Sequence, residues 1–181
     1  MKKIFCVVLA LIVALGCMFA LTACGKEEKE SGGEKIPQIP EGYTKYQNDA
    51  ISFGYPENWT VKDGSVTILS DASGVGNNIT VVSSEDDGTY KDMTMEKFDS
   101  IVKPTYEAMG MTISDASLEN FTVKGASVLK ITYTVTATGV TLKQTQFIVS
   151  IEGKVHAITV TESTPDANLV STVQETLYLV K

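Results

Sequence analysis

A chain of 181 residues, 43% hydrophobic and 20% charged, has an ordinary globular composition and a length that suits one folded body. Its 22 Asp and Glu outnumber 15 Lys, and the sequence holds no Arg; the net charge of −7 has the wrong sign for a nucleic-acid partner, and forked guanidinium recognition of phosphate or carboxylate is excluded. The three cysteines, Cys6, Cys17 and Cys24, all precede the body, which is therefore left without disulfide, thiol nucleophile or thiolate metal ligand.

In chain order, a basic start, Met1-Lys2-Lys3, precedes an apolar run from Ile4 to Ala20, which ends in Leu21-Thr22-Ala23-Cys24-Gly25. As an uncleaved helix the run would sit at the lower edge of what spans a bilayer, where about 18 residues begin to suffice. The preferred reading is that Leu21 to Gly25 resembles the lipobox of a bacterial lipoprotein precursor, with a branched, a small and a thiol residue at Leu21, Ala23 and Cys24. The resemblance implies that residues 1–23 are a removed signal peptide, that Cys24 carries a diacylglyceryl group, and that the protein is held on the extracytoplasmic face of the cell membrane. Loss of Lys2 and Lys3 leaves 13 Lys against 22 acids. Each buried methylene of an acyl chain contributes about 0.8 kcal/mol, so two or three chains anchor durably where one is marginal.

Residues 24–41 read as a tether. Lys26, Glu27, Glu28, Lys29, Glu30, Ser31-Gly32-Gly33, Pro37 and Pro40 offer almost nothing to bury, and a flexible coil of about 16 residues reaches roughly 20–25 Å.

The body, residues 42–181, opens with a weak strand at Tyr43–Gln47. Ile51 to Tyr55 alternates, placing Ile51, Phe53 and Tyr55 on one face before Pro56 ends the ladder. Trp59 to Lys62 and Ser65 to Leu69 flank Asp63-Gly64, a hairpin signal, and a Gly/Ser/Asn loop from Asp71 to Asn77 leads to a strand at Asn78 to Ser83. Thr94 caps a predicted helix in which Met95, Phe98, Ile101, Val102, Tyr106 and Met109 recur at helical spacing, Gly110 stops it, and Pro104 breaks it near Ser100 to Lys103. Four strands follow, Ala116 to Val123, Ser127 to Thr138, Thr141 to Ile151 and Lys154 to Thr161, joined by turns at Lys124-Gly125, Gly139-Val140 and Glu152-Gly153 as an antiparallel meander. The last is apolar on both sides, which predicts a central position. Thr164-Pro165-Asp166 reads as a helix start, and Leu169, Val170, Val173 and Leu177 form its apolar stripe. An early and a late amphipathic helix around a sheet give an α+β fold, a mainly antiparallel sheet sandwiched between helices.

Phe53-Gly54-Tyr55-Pro56-Glu57-Asn58-Trp59 resembles the strand-then-Tyr-Pro-x-x-Trp opening of the PsbP-like family, which includes an extrinsic photosystem II subunit and many bacterial lipoproteins. The element order is similar to that family over nearly the whole body. The resemblance implies a three-layer α/β/α sandwich and a binding or assembly role with no shared active site; Tyr55, Pro56 and Trp59 match as fold residues.

Residues that could carry chemistry have plainer readings. Trp59 as a stacking platform competes with Trp59 as a core-edge filler, which is preferred. Every Ser-His mechanism would pass through His156, which shares a strand face with Ile158 and Val160 and is read as structural or surface. Glu85, Asp86, Asp87 and Asp92 offer oxygens for Ca²⁺ but lack the alternating spacing of an EF-hand and read as a solvated charge run. Gly74-Val75-Gly76 lacks the helix and Lys of a phosphate loop, and the acceptor patterns at Asn58, Asn78 and Asn120 carry no weight in a bacterial lipoprotein. No cofactor, metal or nucleic acid is expected. The leading reading is a noncatalytic binding or assembly module with a protein or envelope-polymer partner, followed by a small-molecule receptor or transporter accessory, and then by a hydrolase using His156 or the acidic loop.

Overall fold

The structure, a computed structural model, describes residues 36–62, 67–71 and 76–180. Cys24, the predicted leader, most of the predicted tether and the predicted Asp63-Gly64 turn lie outside these residues. Among the described residues no helix is long and apolar enough to cross a membrane.

The fold is α+β and every strand pairing is antiparallel. Three strands, β1 (Tyr43–Gln47), β2 (Ile51–Pro56) and β10 (Tyr178–Leu179), form a small sheet in the order β1-β2-β10. A seven-stranded sheet takes β3 (Thr60–Val61), β4 (Thr67–Leu69), β5 (Asn78–Glu85), β6 (Thr112–Val123), β7 (Ala126–Ala137), β8 (Val140–Ile151) and β9 (Lys154–Glu162) in the order β3-β4-β5-β9-β8-β7-β6. The predicted meander β6 to β9 is present, and β9 is central, as its buried positions demand. One turn differs. Ala137 pairs with Val140, so the two turn residues are Thr138 and Gly139, both at positive φ (48° and 83°), and not Gly139-Val140. A two-residue turn with this twist needs left-handed backbone at both positions, which glycine adopts freely and Val does not.

Pro104 splits the first helix as expected, into α1 (Met95–Ile101) and α2 (Lys103–Glu107), with Thr94 Oγ1 accepting from Lys97 N–H at 3.2 Å as the cap. The Thr105 hydroxyl donates to the Ile101 carbonyl at 2.9 Å, giving that helix-end carbonyl a partner. Two expectations near the C-terminus fail. The last helix, α3 (Leu169–Thr176), starts at Asn168 and not at Thr164-Pro165. Asn77 Oδ1 accepts from both Ser163 N–H and Thr164 N–H, and Glu162 Oε1 accepts from Asp166 N–H at 2.9 Å, so side-chain acceptors fix the bent path of the segment between β9 and α3. Leu177 is buried as expected, but it lies past the helix in extended backbone and leads into β10, which periodicity did not anticipate. Likewise β6 begins at Thr112, not Ala116, with a register shift between Ser114 and Ser117 and Asp115 at φ 53°.

The large sheet carries two cores. On one face Ile68, Ile79, Val81, Val128, Phe147, Val149, Ile158 and Val160 pack under Ile51, Phe53, Leu169, Val173 and Leu177, so the covering layer is α3 together with the small sheet. On the other, Ile113, Leu129, Ile131, Tyr133, Val135 and Ile148 pack with Phe98 and Tyr106 of α1 and α2. Gly54 lets α3 settle on β2: its N–H donates to Thr176 Oγ1 at 2.8 Å, and a Cβ there would stand 3.2 Å from that oxygen and 3.5 Å from Thr172 Cγ2.

Gly54→Val should therefore overpack this contact. We expect a loss of about 1–3 kcal/mol, read as a lower urea midpoint at unchanged slope.

Candidate functional site

Alternation puts one set of polar residues where a covered sheet face is ordinarily apolar. On the face that carries α1 and α2, the cross-strand registers set out two rows. One runs Thr67, Thr80, Thr159, Gln146 across β4, β5, β9 and β8; the other runs Asn78, Thr161, Gln144, Tyr133 across β5, β9, β8 and β7. The helix pair covers the β6–β7 side of this face, while the rows extend away from it. Of these eight residues only Thr80 is half-buried, and the rest are buried.

Tyr133 links the two halves. Its hydroxyl lies 2.9 Å from the Tyr106 hydroxyl and accepts from Gln146 Nε2 at 2.8 Å. Phe98 and Tyr106 flank the Tyr133 ring at centroid distances of 5.6 and 5.9 Å, the second edge-on. Gln144 Nε2 donates to Thr161 Oγ1 at 3.3 Å, but Gln144 Oε1 is buried and has no partner. A buried orphan acceptor of this kind costs about 1–3 kcal/mol.

The phenols here stay protonated. Burial pushes Tyr106 up to about 12 against the moderating bond from Tyr133, and burial, with Tyr106 and Asp87 nearby, pushes Tyr90 up to about 12. Burial first, then Tyr106, raises Tyr133 well above the ordinary phenol value. With no Lys, Asp or Glu in the rows, the arrangement is a neutral field of hydroxyls and amides. It can donate and accept hydrogen bonds but supplies no base, nucleophile or charge.

The residues singled out from the sequence do not converge here. Trp59 packs at the edge of the core beside α3 and the small sheet. His156 lies on that same core's side of β9, 6% exposed, with Nδ1 2.8 Å from Ser83 Oγ, its direct cross-strand neighbour. Asp86 Oδ1 and Asp87 Oδ1 accept from Gly88 and Thr89 N–H at 2.8 and 2.9 Å, so these two carboxylates brace their own turn. Among the described residues no three His, Cys, Asp or Glu side chains gather to hold a metal ion. Gly74 and Val75 lie outside the described residues, and a Cβ on Gly76 would collide with Asp71 and Ser70. Asn78 is buried, closing that acceptor pattern.

Sequence reasoning passed over Gln144, Gln146, Thr159 and Thr161. The signal was there as glutamines two apart in β8, opposite threonines two apart in β9.

No protein-family model matches the chain, and no curated protein matches it. Among solved structures, it is similar to cyanobacterial PsbP (CyanoP) from Synechocystis sp. PCC 6803, at 17% identity and a TM-score of 0.55 over 88% of this chain and 98% of that one. The body has the PsbP-like fold. LpqN of Mycobacterium tuberculosis, described as involved in cell envelope biogenesis, aligns at 14% identity and a TM-score of 0.44 over 77% of this chain and 91% of its own. In the PsbP-like body the resemblance seen at Phe53 to Trp59 has a physical basis: Phe53 stacks on Tyr46 at 4.9 Å, and Tyr55 and Trp59 pack against the same core.

A phenol whose folded pKa exceeds its unfolded value of about 10 adds stability below that pH and loses it as pH rises toward the folded value. Stability should hold up to about pH 10 and fall between about 10 and 12. Tyrosinate absorbance, followed beside the urea midpoint, checks this, and Tyr106→Phe should remove one late phenol and flatten the decline.

Proposed function

We propose that this protein is a lipid-anchored, extracytoplasmic member of the PsbP-like group, acting as a noncatalytic binding or assembly module of the bacterial cell envelope. The observation that carries the anchoring is Leu21-Thr22-Ala23-Cys24 at the end of an uninterrupted apolar run, followed directly by a charged and glycine-rich segment. On this reading residues 1–23 are removed, Cys24 takes the diacylglyceryl group, residues 24–41 are the tether and residues 42–181 the working body.

A noncatalytic role is supported by chemistry. The body has no Arg and no Cys, and its single histidine is buried with Nδ1 against Ser83, whereas the serine-hydrolase arrangement presents Nε2 to the serine. The PsbP-like fold supports the family placement. We read its layering as a variant of the α/β/α sandwich, with α1 and α2 outside one face of the large sheet and α3, joined by the small sheet, outside the other. The partner is a protein or a polymer of the envelope, within a tether's reach of the membrane.

Intact mass spectrometry of protein purified from membranes should find a chain beginning at acylated Cys24, and Cys24→Ala should leave an uncleaved, unacylated precursor. Crosslinking in cells should recover a partner from the wild type and far less from C24A. A mature chain that begins elsewhere, or lacks acyl mass, would overturn the anchoring.

A further inference from the structure

From the strand registers and the charge pattern we infer that the tip of the β7–β8 hairpin, residues 137–142, rests in the headgroup layer of the lipid leaflet that holds the protein, as a second membrane contact beside the acyl chains. The inference rests on the anchored reading and adds which surface of the body meets the lipid.

The hairpin outruns its neighbours. Thr136 is the last β7 residue with a partner on β6, Thr112, and Lys143 is the first β8 residue with a partner on β9, Glu162. From Ala137 to Leu142 the chain pairs only within the hairpin, so its tip projects past both flanking strands by two to three residues, roughly 7–10 Å. None of the six residues is charged. Val140, at 57%, is the most exposed large hydrophobic side chain among the described residues.

A single exposed valine is ordinary on a protein surface. The charge around this one is not. From Asn120 to Ile151 the sequence has three lysines, Lys124, Lys130 and Lys143, and no Asp or Glu, so all 22 carboxylates lie elsewhere. Glu162, the cross-strand partner of Lys143, is 5% exposed and accepts from Asp166 N–H, and Asp115 sits in the β6 bulge at the level of Tyr133, back from the tip. Anionic lipid repels carboxylates and attracts lysine, so an acidic body meets such a surface through an acid-free part. The tip supplies that part with apolar area at Ala137, Val140 and Leu142, and with hydroxyls at Thr138 and Thr141 that donate to and accept from headgroup oxygens.

The anchor makes lipid the occupant. Residues 24–35 precede the described chain, and twelve residues fully extended span at most about 40 Å. That is about the width of a body whose radius of gyration is about 14 Å. The acylated end and the tip therefore fit one leaflet, and at so high a local concentration the contact needs little intrinsic affinity.

The test exploits the thiol-free body. Thr138→Cys puts one thiol at the tip and Ser127→Cys one near the opposite end of β7, both at exposed positions. Wild type, with Cys24 acylated and the leader removed, should take up no thiol dye. The acylated chain, purified from membranes and labelled with a polarity-sensitive dye, is reconstituted into phosphatidylethanolamine and phosphatidylglycerol vesicles. We expect dye at 138 to shift to the blue and to be quenched by doxyl-labelled lipid, and dye at 127 to do neither. In the Thr138→Cys protein, Val140→Asn should lower the contact population roughly fivefold at an unchanged melting temperature, and Thr141→Glu, which puts a carboxylate on the tip, should remove the quenching.

Vesicle-bound protein without lipid quenching at 138, equal quenching at 127, or full quenching retained in both variants overturns the tip contact and leaves the anchoring intact. A blue shift without quenching that rises with protein density at fixed lipid puts a second copy on the tip and overturns it too. If wild type takes up dye or does not float with the vesicles, the anchored reading falls and the tip contact falls with it.

Discussion

Apolar burial between the large sheet and the layer made by α3 and β2 is the contact on which the remainder of the body depends. Ile68 faces Ile79, Ile79 faces Val160, and Val81 faces Ile158, which faces Phe147; these residues meet Phe53, Leu169 and Val173, and none is more than 1% exposed. Full burial of such a side chain contributes about 1.5–3 kcal/mol, so this patch outweighs any single polar bond in the fold. It also sets what the opposite face can be. Once one side of β4, β5, β9 and β8 is dry and close-packed, the strands are held in register, and their other side can tolerate residues that would not by themselves hold a sheet together.

That tolerance is used unevenly. Under α1 and α2 the second face is apolar, built on Leu129, Ile131, Val135 and Ile148. Beyond them it turns polar at a defined line, where Tyr133 contacts Tyr106 on one side and Gln146 on the other. The phenol–phenol–amide chain lets the boundary be crossed without leaving Tyr133 unsatisfied, and it keeps the ring fixed by packing on Phe98. A polar region held by a rigid scaffold on one side and a satisfied network at its edge keeps little side-chain freedom, so the rows are fixed in place by the layers around them.

Much of this order was legible from residue pattern and some was not, for identifiable reasons. The meander, the Thr94 cap, the break at Pro104 and the central place of β9 follow from local rules that the tertiary structure reinforces. The start of α3 did not, because it depends on a residue far away in the chain: Asn77 accepts from Ser163 and Thr164 N–H and so fixes how the chain leaves β9, which no local pattern at Thr164 reveals. β10 was hidden because Leu177, eight positions after Leu169, continues the helical stripe of Leu169 and Val173, while a two-residue strand at Tyr178–Leu179 is too short for alternation to show. The polar rows were hidden for a different reason: threonine counts as a good strand former, so Thr159 and Thr161 read as unremarkable β residues, and only the register that sets them against Gln144 and Gln146 shows them as one surface. Cys24 is a separate case, for its reading rests on its sequence neighbours alone and it lies outside the described residues.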